Sequence, residues 1–133
     1  MTPGGAPSLL RVLVVEDNAD AADIMAELIK RRGHEVQIAH DGETGLSAAR
    51  AFRPQVILLD IGLPDTDGYA VAQRLREEHL TGELLIALTG YGEAEDRERA
   101  KKAGFDRHLT KPVDPDALLA LFESARRTPP GTP

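Results

Sequence analysis

Four short apolar runs, at residues 10–15, 36–39, 56–59 and 84–88, recur along the chain at the interval of one strand plus one helix. They are short and rich in Val, Ile and Leu, and the runs at 12–15, 56–59 and 84–88 are continuous rather than alternating. A strand with one face in water alternates polar with apolar residues, whereas a strand buried on both faces does not. Runs of this kind belong to a parallel sheet sandwiched between helices, since parallel neighbours are joined only by long crossovers. The runs are not repeats of one another.

The stretches between them carry helix signals. Asn18 stands as an N-cap before residues 19–32, where Ile24, Met25, Leu28 and Ile29 are expected on one inward face and Gly33 ends the helix. Asp41 precedes a helix over 43–51 that Pro54 closes, and residues 68–78 carry Val71, Ala72 and Leu75 on one side. Asp114 caps a last helix with Pro115 in its first turn and Leu118, Leu121, Phe122 and Ala125 inward. Residues 93–103 differ: their only apolar residues are alanines, and Glu93/Arg97, Glu95/Arg99 and Glu98/Lys102 stand at i,i+4 spacing. That composition suits a solvated face, and equally a loosely packed surface for a partner. Residues 105–110 are poor in apolar side chains, and a fifth strand is expected there, at or near an edge, because four βα units and a final capped helix require one. The expected fold is α/β: a doubly wound (βα)5 parallel sheet of five strands, flavodoxin-like, in order 2-1-3-4-5. Its core unit is residues 9–125, with Pro/Gly-punctuated tails at 1–8 and 126–133.

Composition removes several function classes. A chain of 133 residues makes one domain, and no apolar run reaches the 18 residues or so of a membrane span. With no cysteine there is no disulfide, zinc–thiolate site or thiol nucleophile, and the chain fits the cytoplasm. An excess of 22 acidic over 16 basic residues, net −6, argues against a nucleic-acid surface, and 4% aromatic residues are too few for base stacking.

In open α/β sheets ligands bind at the carboxyl ends of the strands, where strand order reverses. The expected strands deliver there, in turn, Glu16 and Asp17; His40 and Asp41; Asp60; Thr89 with Gly90; and Lys111 with Pro112. In the order 2-1-3-4-5 the reversal lies between strands 1 and 3, which gathers Glu16, Asp17 and Asp60. Each like-charge pair at about 4 Å costs roughly 4 kcal/mol at an effective dielectric near 20, so either their pKa values rise or a cation sits among them. An all-oxygen set suits Mg²⁺ before Zn²⁺. Lys111 can balance a phosphoryl oxygen, the Thr89 hydroxyl can donate to it, and Gly90 leaves room. A carboxylate so placed can act as a nucleophile towards phosphorus.

Each residue alone has an ordinary explanation: an Asp after a strand is usually a turn former or cap, and Lys-Pro is usually surface. Their conjunction at strand ends, in the right order, is not ordinary. Asp65-Thr66-Asp67-Gly68 is no calcium loop, because its twelfth position is Arg74 rather than an acid. Nor is it the double-aspartate motif of haloacid-dehalogenase-type phosphatases, since Gly62-Leu63-Pro64 separates it from the apolar run. P-loop, G-x-G-x-x-G and G-x-S-x-G patterns are lacking, and the histidines at 34, 40, 79 and 108 have no metal-ligand spacing.

Taken together, VLVVEDN at 12–18, VILLDIGLPDTDGY at 56–69, LTGYG at 88–92 and HLTKPVD at 108–114 resemble the receiver domain of two-component response regulators. The resemblance covers about residues 9–125. It implies that Asp60 is the phosphoacceptor, charged from a phosphohistidine of a sensor histidine kinase or histidine phosphotransfer protein. It implies Mg²⁺, with Mn²⁺ as a substitute, on Asp17, Asp60 and the Gly62 carbonyl, with Glu16 acting through water. Lys111 and Gly90 would meet the phosphoryl group, Thr89 would be the switch hydroxyl, and the Lys111–Pro112 bond would be cis. The surface around residues 91–125 would bind an output partner protein of unknown identity, without nucleic-acid or membrane contact by this chain. Such a domain is no metabolic enzyme, although it promotes its own phosphoryl transfer and slow autodephosphorylation. The resemblance fits a single-domain regulator and the receiver of a hybrid histidine kinase alike.

One position departs from the pattern: His108 stands where the family carries Tyr or Phe. It is either a passive variant on the output face or an imidazole that makes the switch sensitive to pH near 6–7. Two further readings compete with phosphoryl signalling. One is an interaction scaffold that ignores phosphate, against which the intact set of Glu16, Asp17, Asp60, Thr89 and Lys111 speaks. The other is a flavodoxin-type cofactor module, whose phosphate the acidic crevice would repel. If His108 tunes the switch, the phosphorylated protein binds its partner with different affinity at pH 6 and pH 8; equal affinities leave it a passive variant.

Overall fold

The structure, a computed structural model, describes residues 10–90 and 94–127, without the side chains of 94–97 and 124–127. Strands β1 (Arg11–Val15), β2 (Glu35–Ala39), β3 (Val56–Asp60), β4 (Leu84–Thr89) and β5 (Arg107–Thr110) alternate with helices α1 (Ala19–Lys30), α2 (Gly42–Phe52), α3 (Gly68–Glu77), α4 (Ala94–Ala103) and α5 (Pro115–Arg127). All neighbouring strands are parallel, in the order β2-β1-β3-β4-β5. This is the architecture expected from the apolar runs. Residues 1–9, 91–93 and 128–133, which include most of both expected tails and the Tyr91-Gly92 pair, lie outside the described residues.

Alternation along each buried strand feeds two cores. Leu13, Val15, Ile57, Leu59, Leu85 and Ala87 face α2, α3 and α4, meeting Leu46, Ala49, Val71, Leu75 and Ala100. Val12, Val14, Leu58, Ile86 and Leu88 face α1 and α5, meeting Met25, Ile29, Leu118 and Phe122. Full burial of one such side chain contributes about 1.5–3 kcal/mol. The edge strands carry weaker signals for the same reason. Only Ala39 is buried in β2 and only Leu109 in β5, so neither needs a continuous apolar run.

The helix starts follow from their caps. Asn18 Oδ1 accepts from the Ala21 amide at 2.9 Å, Asp41 Oδ1 from Thr44 at 2.8 Å and Asp67 Oδ1 from Ala70 at 2.8 Å. Each cap stabilises its helix by roughly 1 kcal/mol. On α1 the inward face differs from the expected one. Ala22, Met25, Ala26 and Ile29 form the buried stripe at i, i+3, i+4 and i+7, Leu28 is half-buried, and Ile24 turns outward at 62% exposure. The two small alanines let α1 lie close on the sheet, and that rotates Ile24 away. Of the ion pairs expected on α4, those using Glu93 and Glu95 involve side chains outside the described residues. Arg99 lies 4.3 Å above the Tyr69 ring, with Asp67 at 3.8 Å.

Between α2 and α3, Arg50 holds Glu78 through two bonds of 2.8 Å. The guanidinium pulls the Glu78 carboxyl from 4.5 down to about 2. A group whose folded pKa is depressed adds stability that is present above its unfolded value and lost as pH falls through the folded one. Glu78→Gln should therefore lower the urea midpoint at pH 6, and the gap to the wild type should narrow as pH falls from 4.5 towards 2. Because the pair is exposed, 1 M salt should shrink the gap too.

Candidate functional site

The reversal of strand order between β1 and β3 splays the two loops that follow them and opens a crevice at their carboxyl ends. Glu16 and Asp17 follow β1, and Asp60 is the last residue of β3. One carboxylate oxygen from each of the three lies within 4.8 Å of the others. Glu16 and Asp60 are buried, while Asp17 stands exposed at the mouth.

Lys111, immediately after β5, reaches over the end of β4 into this cluster. Its Nζ lies 2.8 Å from Glu16 Oε1 and donates to Asp60 Oδ2 at 2.8 Å. Its backbone amide donates to the Thr89 carbonyl at 2.7 Å, and the Lys111–Pro112 peptide bond is cis. A backbone amide reaches the second oxygen of each buried carboxylate: Asn18 donates to Glu16 Oε2 at 3.1 Å, and Gly62 donates to Asp60 Oδ1 at 2.8 Å, which leaves lone pairs free on both groups. The His40 ring Nδ1 donates to the Glu16 carbonyl at 3.0 Å, so His40 steadies the backbone of the site. Asp41, the other residue at the end of β2, is spent on capping α2.

The two buried carboxyls share one ammonium and move in opposite directions. Burial pushes Glu16 above the usual carboxylate range; Lys111 and the Asn18 amide offset this only in part, and the neighbouring Asp60 adds to it. Burial also works against ionised Asp60, but there Lys111 and the Gly62 amide outweigh it and hold the carboxyl below its usual value. Burial disfavours the Lys111 ammonium too, yet Asp60 and Glu16 raise its pKa. Asp60 is thus kept as a carboxylate with an oxygen available as a nucleophile.

Three carboxyl groups gather around one ammonium, so the cluster carries more acidic than basic groups. Only oxygen donors are present, and one of the three carboxylates is open to solvent. This donor set fits a hard divalent cation that keeps part of its water shell, the character of Mg²⁺.

Thr89 ends β4 next to this cluster and is buried, its hydroxyl donating to the Leu109 carbonyl at 3.5 Å, the outer limit of a hydrogen bond. Gly90 faces open space: a Cβ there would meet nothing within 4 Å, so room at that point does not depend on glycine. His108 is half-buried in β5, opposite Ala87. Glycine is required at Gly68, where a Cβ would stand 2.5 Å from Ile61 Cα and 2.7 Å from the Asp60 carbonyl oxygen. That close approach lets the Gly68 amide donate to the Ile61 carbonyl at 2.9 Å and folds the loop back beside Asp60.

Two features escaped the sequence pattern. Asp65 caps α2 from the loop after β3, a partnership across 22 and 23 residues with no local signature. The outward turn of Ile24 leaves an apolar hollow of about 200 Å³ beside Lys111, lined also by Ala21, Met25, Pro112 and Val113. Only the burial of Ala22 and Ala26 reveals it.

Comparison with known proteins agrees with this fold. Residues 12–123 match the response regulator receiver domain family. The chain is 34% identical over 118 residues to the DNA-binding dual master transcriptional regulator RpaA of Synechocystis sp., covering 88% of this chain and 49% of that protein. It is 37% identical over 114 residues to an uncharacterized 14.6 kDa protein of Leptolyngbya boryana, covering 84% and 86%. The chain thus spans about half the length of the transcriptional regulator it resembles. In three dimensions it is similar to a CheY-like response regulator receiver domain protein from Methanospirillum hungatei JF-1, with a TM-score of 0.82, 30% identity and 90% and 95% coverage.

The shared ammonium makes a direct prediction. Lys111→Met removes the group that outweighs burial at Asp60, so the Asp60 carboxyl should titrate above the usual carboxylate range instead of below it. Carboxyl-carbon NMR titration of both proteins measures this, and an unmoved Asp60 would show that Lys111 does not control its ionisation.

Proposed function

The chain belongs to the response regulator receiver domain family, and from that premise we propose that Asp60 accepts a phosphoryl group from a phosphohistidine. The observation that carries this reading is a buried carboxylate held ionised by Lys111 inside an otherwise acidic cluster. An Asp60 oxygen attacks phosphorus, the P–N bond breaks, and its electron pair leaves with the imidazole, giving an acyl phosphate on the protein. Mg²⁺, held by Asp17, Asp60 and the Gly62 carbonyl with Glu16 acting through water, would neutralise charge on the phosphoryl oxygens; Mn²⁺ would substitute.

The product carries roughly two negative charges where a carboxylate carried one. Lys111 is already at hydrogen-bond distance from Asp60 and can follow a phosphoryl oxygen with little movement. Thr89, weakly held by the Leu109 carbonyl, gains a stronger acceptor if its hydroxyl turns towards the phosphate. That turn changes the end of β4 next to β5 and the approach to α4, and so biases the surface around residues 91–125 for an output partner. The partner senses only the difference in contact energy between the two arrangements. Slow autodephosphorylation by water at the same crevice resets the switch.

The phosphohistidine donor must dock where its ring reaches Asp60. The hollow lined by Ile24, Met25, Pro112 and Val113 adjoins that point, and Ile24 is a large apolar side chain left to solvent. A donor helix with an apolar stripe beside its histidine fits this surface.

Incubation with a small-molecule donor such as acetyl phosphate in Mg²⁺ should label the wild type with acid-labile phosphate that alkali also releases, and Asp60→Asn or excess EDTA should abolish the labelling. Label retained in Asp60→Asn would overturn the assignment. Ile24→Asp should slow transfer from the protein donor about tenfold or more while leaving acetyl phosphate labelling unchanged. Equal slowing of both would place Ile24 in the chemistry rather than in docking.

A further inference from the structure

The loop between β3 and α3, residues 61–67, has no regular secondary structure, yet it begins directly after Asp60 and carries the Gly62 carbonyl proposed to hold the cation. Its beginning is tied locally. The Gly62 amide donates to Asp60 Oδ1 at 2.8 Å, and the Gly68 amide closes back on the Ile61 carbonyl at 2.9 Å. Leu63 anchors the loop in the core beneath α2 and α3.

The outer part is tied to another element. Asp65 Oδ1 accepts from the Gly42 amide at 2.8 Å, and Oδ2 accepts from the Glu43 amide at 3.1 Å. These are the first two amides of α2, which have no acceptor within the helix. The third, Thr44, is taken by Asp41. The cap of α2 is therefore shared: Asp41 satisfies one amide, and a carboxylate from the loop satisfies the other two. Both bonds are charge-assisted and lie at the positive end of the helix dipole. They hold the Asp65 carboxyl below its usual range, the Gly42 amide acting most strongly.

Close fit accompanies the bonds. A Cβ on Gly42 would stand 2.4 Å from Thr66 Cγ2 and 3.3 Å from Asp65 Oδ1. A larger residue at the start of α2 would have to push the Thr66 methyl aside.

We propose that Asp65 is a positioning residue for the cation and phosphoryl site, fixing loop 61–67 against α2 so that the Gly62 carbonyl stays beside Asp60 and Asp17. The proposal rests on the reading of Glu16, Asp17 and Asp60 as a Mg²⁺ site. It assigns a purpose to the first aspartate of Asp65-Thr66-Asp67-Gly68 that helix capping within the segment does not supply, since Asp67 alone caps α3.

Titration of the full chain with MgCl₂ in a calorimeter tests it, beside hydrogen exchange of the loop amides. Asp65→Ala should weaken Mg²⁺ about tenfold, in the range of losses seen when groups behind metal ligands are removed. It should also speed exchange at the Gly62 and Gly68 amides. Asp65→Asn keeps an acceptor for Gly42 and should recover most of the affinity. Gly42→Ala displaces Thr66 and should weaken Mg²⁺ in the same direction. Arg50→Ala breaks the ion pair at the other end of the α2–α3 contact, so it should lower thermal stability while leaving Mg²⁺ affinity intact. If Asp65→Ala binds Mg²⁺ like the wild type, or if Arg50→Ala loses as much affinity as Asp65→Ala, the positioning role is wrong. If the wild type itself takes up no Mg²⁺, the cation site is wrong and the proposal falls with it. Should Asp65→Ala not fold, Asp65→Asn and Gly42→Ala decide on the same readouts.

Discussion

A single ammonium joins the ends of three strands. Lys111 follows β5, Asp60 ends β3 and Glu16 follows β1, so one Nζ with two contacts of 2.8 Å spans the carboxyl edge of the sheet across β4. Without it, two buried carboxylates would face each other with only backbone amides for company, and ionisation of both would be costly. With it, Asp60 remains an anion, while burial still holds the Glu16 carboxyl above its usual range despite the same ammonium. The site is thus asymmetric before any ligand arrives, with Asp60, the proposed nucleophile, already distinguished from its neighbour. The parallel sheet makes this economical, because all strands point their carboxyl ends at the same edge and each needs to add only one or two residues.

Most of the sheet and the principal site residues were legible in the sequence because they depend on local rules. Continuous apolar runs mark strands with two buried faces, and Asn18, Asp41 and Asp67 each cap the helix that follows them. Strand ends can be counted off once the strands are known, and that count already named Glu16, Asp17, Asp60, Thr89 and Lys111. What was not legible depends on contacts between distant segments. Helical periodicity favours large side chains, so it placed Ile24 inside, whereas the buried stripe is completed by Ala22 and Ala26. Asp65 looked like half of a loop motif because its partners are amides more than 20 residues away. Edge strand β5 has one buried residue, and its existence followed only from the need to complete the alternation.

The loop after β3 shows how rigidity can be obtained without secondary structure. Glycine appears in it where backbone meets backbone, at Gly68, and across from it where a loop side chain meets a helix start, at Gly42. Ordering such a segment costs roughly 1–2 kcal/mol per residue in backbone entropy, and these contacts offset that cost.

The two cores lie on opposite faces of the sheet, and the surfaces they support are correspondingly separate. The hollow around Ile24 is built on the layer of α1 and α5, whereas the Asp65 clasp and the Arg99–Tyr69 contact are built on the layer of α2, α3 and α4. Substitutions that do not share neighbours add nearly independently. Duplicated copies of such a chain could therefore drift in the apolar surface beside Ile24 while keeping the Asp65 clasp intact, or alter the clasp while keeping that surface. The sheet acts as a partition between two heritable features, the hollow on one face and the clasp on the other, and they meet only at its carboxyl edge.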